Sequence, residues 1–432
     1  MNKPLIMKNL EQWKCPVFTF QNMRDAVASG FTNSGIYQVK MSDDLTLDIL
    51  LKNAEKLTQS ETLVVVLTGA IATRGTKKGP FFSGLSITED LDAPCAFISD
   101  PTLDYSQNLT LAWYAGNQKI PKLQQYIIQI LNSIAHLYKL RLVLVGGSGA
   151  GFGILSIIQQ LCEGSLALVW NPQTSISKYF PNFVKRYVES AFPKIYSETS
   201  KRVPLTRRKT PQFFERILDQ TDINHKLYAS DVAVQRNRII YLQNRHDWHL
   251  LEHANPYLAS LGKWSRLSPT LFLNSSRMTA FAVGDWGEGH AAPTKPLIKS
   301  LIELCVDLPP EVLMTSSVGQ LVSQFDGVPH YDWVLCHDRQ LELKTEIRYD
   351  NELELIYVET TVTNPDPDEV YSHAFYLMVD GKRKATDWYT AKNSTEFHID
   401  QREIRKKIRI IAFVKDAIGR VTFKSSPYHL VD

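Results

Sequence analysis

Three observations predict a doubly wound α/β fold with a mostly parallel sheet, followed by a small antiparallel β domain. Continuous branched apolar runs, ETLVVVLTGA (61–70), KLRLVLVGG (139–147) and SLALVWNPQT (165–174), suit strands buried on both faces. Between the first two lies PKLQQYIIQILNSIAHLYK (121–139), whose Leu123, Ile127, Ile128, Leu131 and Ile134 recur at helical spacing. Beyond residue 330 the pattern changes to alternation of apolar and polar residues, the mark of antiparallel strands with one wet face.

In chain order, VFTFQN (17–22) and GIYQVKMSDDLTLDILLK (35–52) read as short strands bounded by turns at Gly30 to Ser34 and Ser42 to Asp44. The 61–70 strand exits into a long Gly-rich loop, IATRGTKKGPFFSGLSI. CAFISD (95–100) and LTLAWYAG (109–116) are the next expected strands. His136, near the end of the 121–139 helix, suits a solvent-facing position better than a catalytic one.

At 142–157 a strand breaks into glycine around Ser148 and resumes as a small-residue helix. Strand, tight turn and helix with a serine at the turn is the form of a nucleophile elbow, which holds the hydroxyl above the sheet edge. Gly146 and Ala150 stand where larger side chains would collide with neighbouring elements. A Walker loop would need Lys and Ser/Thr where Phe152 and Gly153 stand, and the glycines miss the dinucleotide spacing. A Gly-rich turn that only packs closely is the remaining alternative.

The polar exit Asn171 to Ser175 is expected at the same sheet edge, where function collects in open α/β sheets. Residues 176–235 read as a cap insertion, with Lys201, Arg202, Arg207, Arg208 and Lys209 as a basic cluster suited to phosphate or carboxylate, or simply to solvent. Strand RIIYL then delivers Asp247 into a strand-exit loop, the position from which a carboxylate can hold a histidine. His249 and His253 are spaced i, i+4, but no third ligand is indicated and no metal is expected. A strand ending at Val283 leads to His290, with Asp285 and Glu288 as competing acids on its own loop.

The resulting order, Ser148, Asp247, His290, is that of an α/β-hydrolase triad, each member at the end of a strand. The oxyanion donors would be the backbone N–H of Gly149 and one from Gly69 or Ala70, unless the latter pair only ends its strand in an ordinary turn. Arg74, Arg207 and Arg208 are the candidate substrate-binding residues.

At 432 residues the chain is long for one core, and two domains are expected: 1–330, including the cap, and a β-sandwich at 333–432. In the second, turns fall at Pro365 to Asp368, Asp380-Gly381 and Gly419, and Trp388 with Tyr389 could meet a glycan or the domain could only pack. A net charge of +3 does not suggest nucleic-acid binding. Five scattered cysteines, no apolar run of membrane length and no leader-like N-terminus point to a cytoplasmic protein.

The segments LTGAI…GPFFSG, GGSGAGFG, NPQT, IIYLQNRHDWH and GEGH, within residues 60–300, resemble α/β-hydrolase-fold proteins of bacterial surface-polysaccharide biosynthesis. These include capsule O-acetyltransferases, capsule-biosynthesis proteins of the XcbB and CpsF type, and the accessory Sec glycan acetyltransferase. The resemblance implies Ser148 as nucleophile, His290 as base and Asp247 as orienting acid, with Gly149 and Gly69 or Ala70 as oxyanion donors. It implies acyl transfer from acetyl-CoA, with no tightly bound cofactor, to a polysaccharide or oligosaccharide. Membrane association would be at most peripheral, through a capsule assembly complex. An ester or thioester hydrolase with the same triad, and a non-catalytic glycan-binding or assembly protein, are the alternatives. The small β domain is not part of the acetyltransferase pattern.

Overall fold

The computed structural model describes residues 8–71, 74–75, 77–227, 235–314, 317–318, 320–322, 343–350, 354–363, 371–399, 406–415 and 421–430. The chain divides into two compact units, Met1–Tyr331 and Asp332–Asp432.

Among the described residues, unit one has eleven strands: β1 (Val17–Phe20), β2 (Gly35–Lys40), β3 (Thr46–Lys52), β4 (Thr62–Leu67), β5 (Cys95–Ser99), β6 (Arg141–Gly147), β7 (Leu166–Trp170), β8 (Arg238–Asn244), β9 (Trp264–Arg266), β10 (Leu271–Asn274) and β11 (Thr279–Gly284). They form one sheet in the order β1-β2-β3-β5-β4-β6-β7-β8-β11-β10-β9. From β5 to β11 every neighbouring pair is parallel, so these six strands end at one edge. The antiparallel pairs lie outside this central run.

Nine helices are described: α1 (Met23–Ala28), α2 (Leu123–Tyr138), α3 (Ser148–Ile157), α4 (Pro181–Ala191), α5 (Pro193–Lys201), α6 (Pro211–Leu218), α7 (Asn255–Ala259), α8 (Lys295–Asp307) and α9 (Pro310–Leu313). Both sheet faces are covered, which is why the central strands are apolar at consecutive positions. Val64, Val66, Val143, Val145, Leu166, Leu168, Ile240 and Leu242 share a core with Leu297, Ile298, Leu301 and Ile302 of α8. The intervening residues, among them Leu63, Val65, Leu142, Leu144, Ala167 and Val169, are equally buried, and α3 packs across β4, β6 and β7. This is the doubly wound, α/β-hydrolase-like sheet that the sequence predicts.

One expected strand is not there. LTLAWYAG (109–116) is a buried loop in which Trp113 and Tyr114 take left-handed backbone, with φ of 59° and 54°. Its apolar pattern reflects burial of side chains around a bend, and no ladder partner. Fixed hydrogen bonds hold it: Tyr114 N–H donates to the Asp100 carboxylate at 2.7 Å, and the Tyr114 hydroxyl donates to the Ile98 carbonyl at 2.7 Å. That hydroxyl also accepts from Thr68 N–H at 2.7 Å, just past the end of β4. Between residues 176 and 227 the chain forms α4, α5 and α6, which pack on one another through Val184, Tyr187, Val188, Phe214, Ile217 and Leu218. Part of the expected insertion, residues 228–234, lies outside the described residues.

Unit two contains β12 (Leu343–Asp350), β13 (Leu355–Val362), β14 (Ser372–Val379), β15 (Lys382–Thr390), β16 (Ser394–His398), β17 (Lys407–Lys415), β18 (Val421–Ser425) and β19 (His429–Leu430). One sheet runs β12-β13-β16 and the other β15-β14-β17-β18, with β19 on β17. Ile356, Val358 and Phe397 from the first sheet meet Phe375, Leu377, Ile408, Ile410 and Ala412 from the second in a shared core. That interleaving makes it a sandwich. The expected turns at 365–368 and Gly419 lie outside the described residues. Trp388 is exposed, and Lys415 caps the neighbouring Tyr389 ring at 4.4 Å.

Candidate active site

Strand β6 hands the chain directly to α3 through Ser148, whose φ of 54° places a side-chain-bearing residue in left-handed backbone. A non-glycine residue there is held against its own preference, a strain that clusters at functional sites. The glycines around it explain how the turn closes. A Cβ at Gly146 would lie 2.9 Å from Ala150 Cβ and 2.9 Å from Ile154 Cδ1. One at Gly149 would run into the Leu111 side chain of the buried loop.

Parallel register aligns Val66 of β4 with Val145 of β6, so continuing three residues brings Gly69 beside Ser148. The ideal Cβ position at Gly69 is 3.5 Å from the Gly147 carbonyl oxygen, which agrees. Gly149 N–H lies in the open first turn of α3, where no intrahelical acceptor exists. Gly69 and Gly149 thus lie beside the serine, Gly69 half-buried and Gly149 buried, with the next residue, Ala70, exposed.

Asp247 follows β8 and is 2% exposed. Its Oδ1 accepts from the backbone N–H of His249 at 3.0 Å, and its Oδ2 faces Nδ1 of His290 at 2.6 Å. His290 follows β11, and its side chain is 30% exposed. Asp285 is engaged elsewhere, 3.2 Å from His246 Nε2 and 3.9 Å from Arg245. The structure thus joins Asp247 to His290. It does not join either to Ser148 by a hydrogen bond: the serine Oγ accepts instead from Gln173 Nε2 at 3.0 Å.

Of four further residues at the site, sequence reasoning places Gln173 in the polar β7 exit and His249 in the histidine-rich β8 exit but does not single out Trp113 or Tyr179. Gln173, two residues past Asn171 on the β7 exit, and Trp113 are both fully buried. The Tyr179 hydroxyl lies beside Ser148 and Gln173, and burial, with the nearby Asp247 charge, holds it above the ordinary phenol range. His249 is buried against the His290 ring, centroids 4.2 Å apart, with Nδ1 3.0 Å from the Asn171 carbonyl. Burial drives its pKa down to about 3, helped by His253. The polar exits of β7 and β8 carried the signal for Gln173 and His249; Trp113 and Tyr179 join them through tertiary packing.

Asp247, His249 and His290 offer donor atoms within 4.8 Å of one another. An ion there would compete with the Asp247–His290 bond, and a buried His249 Nδ1 already has the Asn171 carbonyl.

The three expected substrate-binding arginines sit in different surroundings. Arg74 is not at the surface: it is 1% exposed, donates to the Leu103 carbonyl and lies over the Phe81 ring at 4.6 Å. A basic residue in a Gly-rich loop reads as solvent-exposed, but its stem and guanidinium here fill an aromatic and carbonyl-lined recess. Arg208 is half-buried and donates to the Val203 carbonyl at 2.7 Å. Arg207 is exposed and, with Arg202, Arg216, Thr210 and Gln212, lines a cavity of about 490 Å³. Neighbouring Lys209 borders a second cavity with Phe180 and Phe183, and Phe180 packs on Tyr179 at 5.1 Å.

The buried histidines make acid stability a test of this arrangement. His253 accepts from Thr174 N–H at Nδ1, 3.2 Å away, and burial, with Lys178 and His290 adding repulsion, lowers its pKa to about 3. A folded value below the unfolded 6.5 means its contribution is whole above pH 6.5 and is lost as pH falls towards 3. Asp100 and Asp104, pushed up to about 6 by burial, oppose this between pH 6 and 3.8. His253→Gln keeps the acceptor and removes the titration. Its stability deficit at pH 7.5 should shrink by about 2 kcal/mol between pH 6.5 and 5, read as urea midpoints. A deficit independent of pH would contradict a neutral buried His253.

No protein-family model matches the sequence, and no curated protein matches it. Among solved structures, the fold is similar to the capsule O-acetyltransferase of Neisseria meningitidis serogroup A (11% identity, 63% of this chain and 95% of that one, TM-score 0.39). It is also similar to an S-formylglutathione hydrolase from Agrobacterium tumefaciens (10% identity, 64% and 95%, TM-score 0.36). A third is an acetyl xylan esterase from Paenibacillus sp. R4 (12% identity, 70% and 96%, TM-score 0.36).

Proposed function

We propose that this chain is a serine acyltransferase that moves an acetyl group from acetyl-CoA to a hydroxyl of a surface polysaccharide or its oligosaccharide precursor. The observation that carries the reading is a serine in left-handed backbone at the β6–α3 turn, on the same sheet edge as a hydrogen-bonded His290–Asp247 pair.

In this mechanism His290 Nε2 takes the Ser148 proton as Oγ attacks the thioester carbonyl. Asp247 fixes the imidazole with Nδ1–H towards the carboxylate and stabilises the cation that forms. The amides of Gly149 and Gly69 or Ala70 meet the oxyanion, a term worth about 3 kcal/mol per donor. Thiolate leaves, and the same histidine then deprotonates the incoming hydroxyl. The cavity of Arg202, Arg207 and Arg216 and the adjoining Lys209 suit the phosphates of the CoA tail, and the tail would reach Ser148 past Phe180 and Tyr179.

The partial exposure of His290 favours a second reading, hydrolysis, because water can reach the base. Incubation with acetyl-CoA and capsule oligosaccharides separates the two: transfer adds one acetyl to the sugar, whereas equal CoA release without sugar means hydrolysis. Arg207→Ala with Arg216→Ala should raise KM for acetyl-CoA about tenfold and leave turnover of a phosphate-free aryl acetate unchanged. Parallel losses on both donors would remove the phosphate role. The exposed Trp388 in unit two is where we place a weaker glycan contact.

A further inference from the structure

The bonds made by Gln173 go beyond the triad. Its backbone N–H donates to the Ser148 carbonyl at 3.2 Å, and its side-chain Nε2 donates to Ser148 Oγ at 3.0 Å. Its Oε1 accepts from Trp113 Nε1. An indole N–H is a donor only, so Trp113 fixes which end of the amide faces the serine: Oε1 towards the indole, the NH2 towards the nucleophile. Trp113 is itself immobile. It is fully buried, takes left-handed backbone, and meets the rings of Tyr187 at 5.4 Å and Tyr179 at 5.9 Å. The adjoining Tyr114 is tied to Asp100, Ile98 and Thr68.

We infer that Gln173 is a catalytic residue for the second half-reaction, a permanent hydrogen-bond donor to Ser148 Oγ when that oxygen is the leaving group. The inference rests on Ser148 as the nucleophile.

Only a bond stronger in the transition state than in the ground state accelerates a step. In the free enzyme Oγ is a hydroxyl and a good acceptor, so the amide stabilises the ground and transition states of acylation alike. In the acyl-enzyme Oγ is an ester oxygen, a poor acceptor. The acceptor hydroxyl, or water, then attacks the acyl carbon, its proton passing to His290 Nε2. As the tetrahedral intermediate collapses, the C–Oγ bond breaks, its electron pair returns to Oγ, and His290 gives Oγ the proton. Negative charge grows on Oγ during that cleavage, and the Gln173 N–H bond strengthens with it.

The test uses the full chain and p-nitrophenyl acetate, whose burst reports acylation and whose steady state reports deacylation. Gln173→Met removes the donor at similar size. Gln173→Glu also removes it but keeps the acceptor for Trp113, and Trp113→Phe leaves the amide free to turn, so at least one folded variant is expected. Deacylation should fall about ten- to hundredfold more than acylation, with acetyl-Ser148 accumulating in intact-mass spectra. Equal falls in both phases, or no change in either, would overturn the role of Gln173 while leaving the nucleophile intact. A wild-type enzyme that never acquires acetyl on Ser148 would sink both.

Discussion

Ser148→Ala is expected to abolish covalent capture by a fluorophosphonate and to lower thioester turnover by about 10⁴- to 10⁶-fold. In the proposed mechanism the amides of Gly69 or Ala70 and Gly149 still meet an oxyanion, so catalysis over water persists at a low level, but no acyl-enzyme forms. Folding should be untouched, because alanine is smaller and what is lost is the contact of the serine Oγ with Gln173 Nε2 and the neighbouring Tyr179 hydroxyl. The left-handed backbone disfavours alanine no less than serine, so the strain carries over unchanged. Labelling that survives in the alanine variant would move the nucleophile elsewhere.

The second large effect falls on Asp247. Asp247→Asn keeps the size of a buried side chain and removes the negative acceptor that faces His290 Nδ1 at 2.6 Å. The amide can present its NH2 to the ring, which then holds its proton on Nε2, the atom that receives the serine proton in the proposed mechanism. A fall of about 10⁴ in kcat is expected, with KM little changed. The bond from His249 N–H to Oδ1 can survive on the asparagine oxygen, and circular dichroism should show a native fold. Steady-state kinetics on an aryl acetate measures the effect. A loss below tenfold would mean that Asp247 only fills space.

The strands and their ends were the legible part. Branched runs at 62–67, 141–147, 166–170 and 238–244 became β4, β6, β7 and β8 because burial on both faces demands such residues. Glycine, asparagine and aspartate at their C-terminal exits marked the loops that carry Ser148, Asn171 and Asp247. Positions set by side chains from distant segments were not legible. Nothing local says that Trp113 reaches sixty residues ahead to orient Gln173, or that Tyr179 folds back beside the elbow. Apolar residues at 109–116 imitate a strand, since burial leaves the same composition whether the backbone is straight or bent. Arg74 misled for a related reason: charge suggests water, while a long flat cation can also be stored beneath an aromatic ring.

The order of strands also bears on how the protein comes off the ribosome. From β6 through β7 and β8 to β11, successive strands are laid down side by side in the order of synthesis, skipping only the β9–β10 excursion. A nascent chain paused after β8 carries its elbow serine and its buried carboxylate, yet lacks the imidazole, which arrives only when β11 pairs with β8. The Asp247–His290 pair therefore forms only once β11 and the loop after it have been made, with α8 and α9 of this unit still to follow.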